Sequence, residues 1–178
     1  KLAKRIHYSK SLRVALEEIC NNMEVKYKTI KHPVATRWNT HTVMLQSMIA
    51  LCGPLATLAD DHKGLTKLSA EEWKVLVGLE DVLRPFLILT KRFEDKSRPL
   101  LHEFIPALDI ATRNLEKVIQ MAAHLPVIHM AAARGLVVVD KYYAKTDDSL
   151  MYRLAMSEFL SYPFVVNNNK IISYASET

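Results

Sequence analysis

Arg37, Trp38 and Asn39 are the residues with the most specific chemical potential, in the segment Thr36-Arg37-Trp38-Asn39-Thr40. An arginine guanidinium can form paired hydrogen bonds to phosphate oxygens, and an indole offers a flat face on which an unpaired base can stack. Asn39 or Thr40 could cap a helix that begins here and leave backbone amides directed at an anion. The segment therefore predicts a nucleic-acid contact. A purely structural role stays open, with Trp38 in the core and Asn39 only a cap.

The charge of the chain is concentrated near its start. Residues 1–47 carry a formal charge of +6, whereas the whole chain carries +5. A basic surplus confined to one region indicates a polyanionic partner. A solvated basic face without a ligand is the alternative. The basic residues that join the first segment as predicted DNA contacts are Lys10, Arg13, Lys28 and Lys31.

Patterns of known catalytic sites are missing from the sequence. It contains no glycine-rich phosphate loop, no GxSxG, no HExxH and no paired CxxC. His124 and His129 are five residues apart, which on a helix separates them by about 140° and suits a shared metal poorly. We therefore predict no catalytic residue, no metal ligand and no bound cofactor in this chain.

Composition indicates one globular domain. The chain has 178 residues, of which 49% are hydrophobic and only four are glycine, a balance that favours helices. Cys20 and Cys52 stand singly within helical patterns, which is typical of a reducing, intracellular compartment rather than a disulfide scaffold. No apolar run reaches the length of a membrane span and no signal peptide is visible, so no membrane partner is expected. The chain starts at Lys1 without a methionine, and we expect an internal piece of a longer protein.

Apolar spacing predicts a mainly helical fold. Ser69 and Glu72 fit a capping box, Pro85 should bend its helix without ending it, and Pro126 suits a first helical turn. Residues 25–36 are β-branched and aromatic around Pro33, which predicts extended chain or at most a short edge strand near 28–37. The predicted helices cover about 9–22, 39–58 with a kink or break at Gly53-Pro54, 69–93, 102–123, 126–143 and, after a cap at Thr146-Asp147-Asp148, 149–156.

The order of several motifs resembles one family. The stretch from Thr36 to Leu45 is similar to the "TRWNS-T-ML" segment of hAT-family DNA transposases, and residues 133–156 resemble the corresponding region of fungal-type members. In that family the segment opens a helical region inserted into an RNase H-like catalytic fold. The resemblance spans about residues 5–156. Its other motifs are Ser9-Lys10-Ser11-Leu12-Arg13, Leu68-Ser69-Ala70-Glu71-Glu72-Trp73, Leu83-Arg84-Pro85-Phe86 with Thr90, and 133–156.

This resemblance implies cut-and-paste transposition by Mg²⁺-dependent Asp-Asp-Glu chemistry, with hairpins formed on the flanking DNA. The family's aspartates precede the basic helix and its glutamate follows the helical insertion, so no residue here inherits a catalytic role. Mg²⁺ is expected only in an intact member, and this chain alone is predicted to be inactive. The family's arginine and tryptophan contact DNA near the cleavage site, with the tryptophan stacked on a flipped base. By motif match those roles fall on Arg37 and Trp38.

The resemblance divides the chain into three parts. Residues 1–38 would be a basic helix and an extended segment left from the RNase H-like core, and residues 39–156 the all-helical insertion domain. Residues 157–178 diverge from the family and are predicted to be a poorly ordered tail, as expected of a truncated or mis-spliced product. The predicted partners are hairpin or transposon-end DNA and other transposase copies, in the nucleus. A helical protein–protein module and a non-functional transposon remnant are the alternatives.

Overall fold

The computed structural model describes residues 1–34, 37, 39–94, 100–159, 165–167 and 170–172, and most of these residues are helical. This confirms the prediction of a mainly α protein. The helices are α1 (Leu2–Tyr8), α2 (Lys10–Asn22), α3 (Asn39–Ala50), α4 (Cys52–Asp61), α5 (Ala70–Phe93), a 3-10 turn (Leu101–Glu103), α6 (Phe104–Gln120), α7 (Pro126–Asp147) and α8 (Leu150–Phe159).

Three helix features follow the local sequence signals. The Ser69 hydroxyl accepts from the Glu72 amide while the Glu72 carboxylate accepts from the Ser69 amide, which completes the predicted capping box of α5. Helix α5 continues through Pro85 to Phe93, as expected. Pro126 lies in the first turn of α7, where its missing N–H has no helical partner to lose.

The predicted kink or break near Gly53-Pro54 is a break at Leu51. Helices α3 and α4 meet there at an angle of 77°. Pro54 has no N–H to donate to the Ala50 carbonyl, and it lies in the first turn of α4, where a helix has no partner for that N–H. The Leu51 amide instead donates to the Met48 carbonyl at 3.1 Å, and Leu51 itself is fully buried. Helix α4 then extends to Asp61, three residues past the predicted end.

Two apolar clusters form the core. The first joins α1, α2, α3 and α4 and takes Ile30 from the connector after α2. The second joins α5, α6 and α7. Helix α3 also packs against α5, where Gln46 donates to Glu80 at 2.8 Å. The first cluster thus draws residues from both sides of the boundary predicted at 38/39, and that boundary remains a prediction.

The end of α7 differs from the sequence prediction. Thr146 does not cap the last helix, because α7 continues through Asp147 and α8 begins at Leu150. The Thr146 hydroxyl donates to the Tyr143 carbonyl at 2.7 Å and the residue is 2% exposed. A buried threonine can satisfy its hydroxyl on a preceding carbonyl of its own helix, so the helix need not end there.

Strand structure occurs at a place that the sequence did not predict. Residues 25–34 form an irregular connector without a strand, and a proline within it cannot donate to a ladder. Strands β1 (Val165–Asn167) and β2 (Lys170–Ile172) pair antiparallel, with Val165 opposite Ile172. Both lie in the segment 157–178 that was predicted to be poorly ordered. The other residues of that segment beyond the end of α8 lie outside the described ones.

Candidate nucleic-acid interface

Arg37 lies in a tight loop that leads into α3. Its amide donates to the Val34 carbonyl at 2.9 Å, and its own carbonyl accepts from the Thr40 amide at 3.0 Å. The Thr40 hydroxyl accepts from the Val34 amide at 2.8 Å and donates to the Arg37 carbonyl at 2.6 Å. The backbone of Arg37 is thereby fixed by its neighbours while its side chain is exposed to solvent.

The capping roles predicted for Asn39 and Thr40 were wrong. Both residues are already helical, and the Thr40 hydroxyl bonds back to the preceding loop rather than to the amides of α3. A side chain in the first helical turn points toward the helix N-terminus, which places that hydroxyl beside the loop. Asn39 is half-buried, with a long 3.5 Å hydrogen bond from Nδ2 to Glu94 and, among the described residues, no partner for its buried Oδ1.

Trp38 lies outside the described residues. Its predicted stacking on an unpaired base therefore stays a prediction.

The structure brings part of the predicted basic set to the junction of α1 and α2. Lys10 is exposed at the start of α2, and the half-buried Arg13 donates to the His7 carbonyl at the end of α1. The connector folds back here: the buried Ile30 carbonyl accepts from His7 Nδ1 at 3.1 Å, which sets Lys31 beside the junction. Because a carbonyl only accepts, this bond places the His7 proton on Nδ1. Lys28 is also exposed, in the same connector.

Three aromatic rings meet at this junction, and sequence reasoning missed them. The Tyr8 ring lies edge-on to His7, with centroids 5.0 Å apart, and 5.4 Å from the ring of His32. His7 and His32 are 6.0 Å apart. Tyr8 nevertheless remains 69% exposed, so the rings hold a phenol at the surface rather than cover it. Tyr8 and His32 are 24 positions apart, so local residue spacing carried no signal of this contact.

We call this region the N-terminal surface and define it by Tyr8, Lys10, Arg13, Lys31 and His32. Its cations have no carboxylate within ion-pair distance among the described residues, and the same holds for each lysine and arginine from Lys1 to Arg37. Unpaired surface cations keep their full charge available to an external anion. The surface can therefore attract a phosphate chain and offer a ring to a base.

The cleft between α5 and α6 has the opposite electrostatic character. It encloses about 430 Å³ over an apolar floor that includes Pro85, Ile88 and Val118. Its arginines are already neutralised: Arg84 pairs with Glu80 and Asp81, and Arg92 pairs with the buried Glu103. An anion would have to compete with these carboxylates, so the cleft is a poorer phosphate site than the N-terminal surface.

Among the described residues, no group of three or more His, Cys, Asp or Glu side chains could hold a metal ion. The histidine pair singled out by the sequence does not form a metal site either. The rings of His124 and His129 are 6.5 Å apart at 76°, and His124 Nε2 lies 3.5 Å from Asp81. His129 Nε2 is instead 3.0 Å from the Met121 carbonyl, which directs this nitrogen away from a shared ligand position.

No single described helix is long and apolar enough to cross a bilayer; α3 and α4 meet the length and composition criteria only as a pair bent by 77°. Comparisons with protein-family models, with curated proteins and with solved structures found no match to this chain.

Proposed function

We propose that this chain is a DNA-contacting helical domain related to the helical insertion of hAT-family transposases. Those transposases have an RNase H-like catalytic fold, into which the helical region is inserted, and they perform cut-and-paste transposition. In this proposal the chain binds DNA without carrying the family's Asp-Asp-Glu residues, and Mg²⁺ is required only by an intact member. Hairpin or transposon-end DNA is the ligand, other transposase copies are possible partners and the nucleus is the compartment.

The observation that carries the proposal is the N-terminal surface. An exposed tyrosine ring lies among cations that no carboxylate of the described residues neutralises, which matches the two needs of single-stranded nucleic acid. Lysines and arginines release counterions from the phosphate chain, and an aromatic face stacks on a base of any sequence. Tyr8 thus joins Arg37 and Trp38 as a proposed contact.

The proposal predicts how the affinity for DNA changes with salt concentration. If about four cations meet phosphates, log K for duplex DNA falls with log salt at a slope near −3.6. Fluorescence anisotropy with labelled duplex, single-stranded and hairpin DNA across a salt series measures this slope. A binding constant independent of salt, or no binding at low salt, would contradict the proposal.

Charge-matched variants locate the contact. Lys10→Glu with Lys31→Glu reverses two exposed cations of the N-terminal surface, and Lys63→Glu with Lys74→Glu reverses two exposed cations elsewhere. Both pairs change the net charge of the chain by the same amount. A loss of DNA affinity that is common to both pairs therefore reports only the overall electrostatic field of the protein. We expect the first pair to weaken binding and flatten the salt slope by about 2, and the second to leave the slope unchanged.

Trp38→Ala tests the role that the resemblance implies. We expect it to weaken binding to hairpin or unpaired DNA more than to duplex, since only an unpaired base offers a free face. Equal losses on both substrates would contradict stacking by this residue.

A further inference from the structure

Helix α7 presents a second solvent-facing surface that the proposed DNA contact does not use. Its apolar members are strongly exposed: Val137 is 69% accessible, Met130 59% and Val138 54%. At 3.6 residues per turn they share an arc of about 140° with three cations. We call this arc the α7 outer face; its residues are Val127, Met130, Arg134, Val137, Val138, Lys141, Tyr142 and Lys145, and each is exposed.

The bundle does not need this face for its own packing. The opposite side of α7 enters the second core cluster through Ile128, Ala132 and Val139, each at most 5% exposed. Gly78 of α5 lets Ile128 approach so closely that a Cβ added there would lie 2.7 Å from Ile128 Cγ1. Helix α7 is therefore held from one side, in a fixed orientation, with its outer face directed at solvent.

The residue types on the outer face are unusual for a solvated helix. Valine is a weaker helix former than alanine, lysine or glutamate, and at an exposed position packing does not compensate for it. Val127, Val137 and Val138 are all more than half exposed, on one side of one helix. Several strongly exposed apolar side chains on one side of one helix are typical of a surface that another molecule covers.

Charge on the outer face has one sign. Arg134, Lys141 and Lys145 run along the middle of the arc, with apolar residues on both sides. None of the three forms an ion pair with a described carboxylate, and Lys145 Nζ lies instead 5.6 Å from the centre of the Tyr142 ring. Asp140 neighbours Lys141 in sequence but lies about 100° around the helix from it, outside the arc. Asp148 caps the C-terminal end of α7, three residues beyond Lys145, and forms no ion pair with a described residue.

We infer that the α7 outer face docks an acidic amphipathic helix of a partner protein. A row of carboxylates on that helix would pair with the central cations, while flanking aliphatic side chains would cover the valines and Met130. This arrangement is complementary in both charge and hydropathy.

Other occupants fit the same face less well. Two copies of the face brought together by a two-fold axis would oppose Arg134, Lys141 and Lys145 to one another, which like charges disfavour. A bilayer surface would require these central cations to enter the acyl region between the valines, whereas interfacial helices keep their cations on a separate polar side. Nucleic acid would pair with the cations but leave the apolar side chains without a complementary surface.

A display library decides the chemistry of the partner directly. The probes are helical peptides of about 21 residues, which match the outer face in length, with leucine at the flanking positions. Glutamate, glutamine and lysine are each allowed at the central positions, and the full chain is the bait. We expect selection of glutamate on the wild-type chain and of lysine on the chain carrying Arg134→Glu with Lys141→Glu.

Affinity measurements on the selected acidic peptide complete the test. Arg134→Glu with Lys141→Glu should weaken it by about tenfold or more, and the matched Lys63→Glu with Lys74→Glu should not. Val138→Ser should also weaken it, and circular dichroism establishes that each variant is folded.

Several outcomes would overturn the inference. They are the absence of any enrichment, a preference for lysine or glutamine on the wild-type chain, and a preference that the charge reversal leaves unchanged. Self-association in sedimentation that Val138→Ser abolishes would assign the face to a second copy. Binding to phosphatidylserine vesicles, or to DNA, that the same substitution abolishes would assign it to a membrane or to nucleic acid.

Discussion

Gly78→Ala tests how closely α5 and α7 pack. An alanine Cβ at this position would lie 2.7 Å from Ile128 Cγ1 and 3.1 Å from both Cδ1 and Cγ2. Carbon atoms in contact are ordinarily about 3.5–4.0 Å apart, so either α5 at position 78 or Ile128 of α7 must move by roughly 1 Å. Ile128 is 1% exposed within the second core cluster and cannot swing into solvent.

The expected sign follows from two opposing terms. Replacing glycine by alanine within a helix contributes up to about 1 kcal/mol of stability, whereas overpacking a core costs about 1–3 kcal/mol. Gly78→Ala should therefore lower the free energy of unfolding by up to about 2 kcal/mol. In a chain of this size that upper value corresponds to a Tm lower by about 4–8 °C.

In a chain that already carries Ile128→Ala, the Gly78→Ala substitution should have the opposite effect on stability. Ile128→Ala removes the atoms that the new Cβ would meet, at its own cost of about 2–5 kcal/mol. Gly78→Ala added to it should stabilise the chain by up to about 1 kcal/mol, because only the helix term remains. Urea unfolding of the four chains, followed by far-ultraviolet circular dichroism, measures this double-mutant cycle.

Gly53→Ala is the matched control. Its Cβ would meet only the terminal methyl of Met23 at 3.3 Å, and Met23 is 45% exposed and free to move. We expect stability to be unchanged or higher. Close packing of α5 against Ile128 would be contradicted if Gly78→Ala stabilised the wild-type chain, or if its effect on stability were the same with Ile128 and with Ile128→Ala.

Three further predictions concern a helix cap, a thiol and a buried ion pair. Ser69→Ala removes the side-chain half of the α5 cap and should cost about 1 kcal/mol in urea unfolding; a loss below a few tenths would contradict the cap. Burial, with a smaller contribution from a nearby glutamate, raises the pKa of the Cys20 thiol, so at pH 8 iodoacetamide should label the exposed Cys52 first; equal native labelling would refute this. Arg92→Met removes the guanidinium from the 3%-exposed Glu103, which His102 also faces at 3.8 Å, and should cost about 1–3 kcal/mol at neutral pH, measured as a lower urea midpoint; an unchanged midpoint would show that the pair contributes nothing.

Signals that act within one turn of chain predicted the helices well. The capping box at Ser69, the passage of α5 through Pro85 and the start of α7 at Pro126 each depend on residues at most four apart. The break between α3 and α4 belongs to the same class, because Pro54 removes a bond to a carbonyl four residues earlier.

The failed predictions involve side chains with more than one available partner. Thr40 was predicted to cap α3, but its hydroxyl lies nearer the loop at Val34 and Arg37 and bonds there. Thr146 was predicted to cap the last helix, yet it is buried within α7. Short polar side chains bond to whichever backbone group tertiary packing brings close, which local sequence does not specify.

The same distinction between local and tertiary signals applies to the candidate site. Composition indicated the excess of cations, but it could not indicate that none of them forms an ion pair within the described part of the chain. The juxtaposition of Tyr8 with His32 depends on the connector folding back onto α1, which the hydrogen bond from His7 to Ile30 secures. Contacts between residues 24 positions apart follow from the packing of the whole first cluster rather than from spacing.

The most direct test of base stacking at the N-terminal surface uses the Tyr8→Ala chain. Its dissociation constants for single-stranded and for duplex DNA are measured at one low salt concentration and compared with those of the wild-type chain. Tyr142→Ala, which removes a 54%-exposed tyrosine from α7, is the control. Stacking on Tyr8 predicts a loss of about 1–3 kcal/mol on the single strand, a factor of about 5 to 140, with a much smaller change on duplex and none in the control. An unaltered affinity for the single strand, or the same loss in both tyrosine variants, would contradict the account.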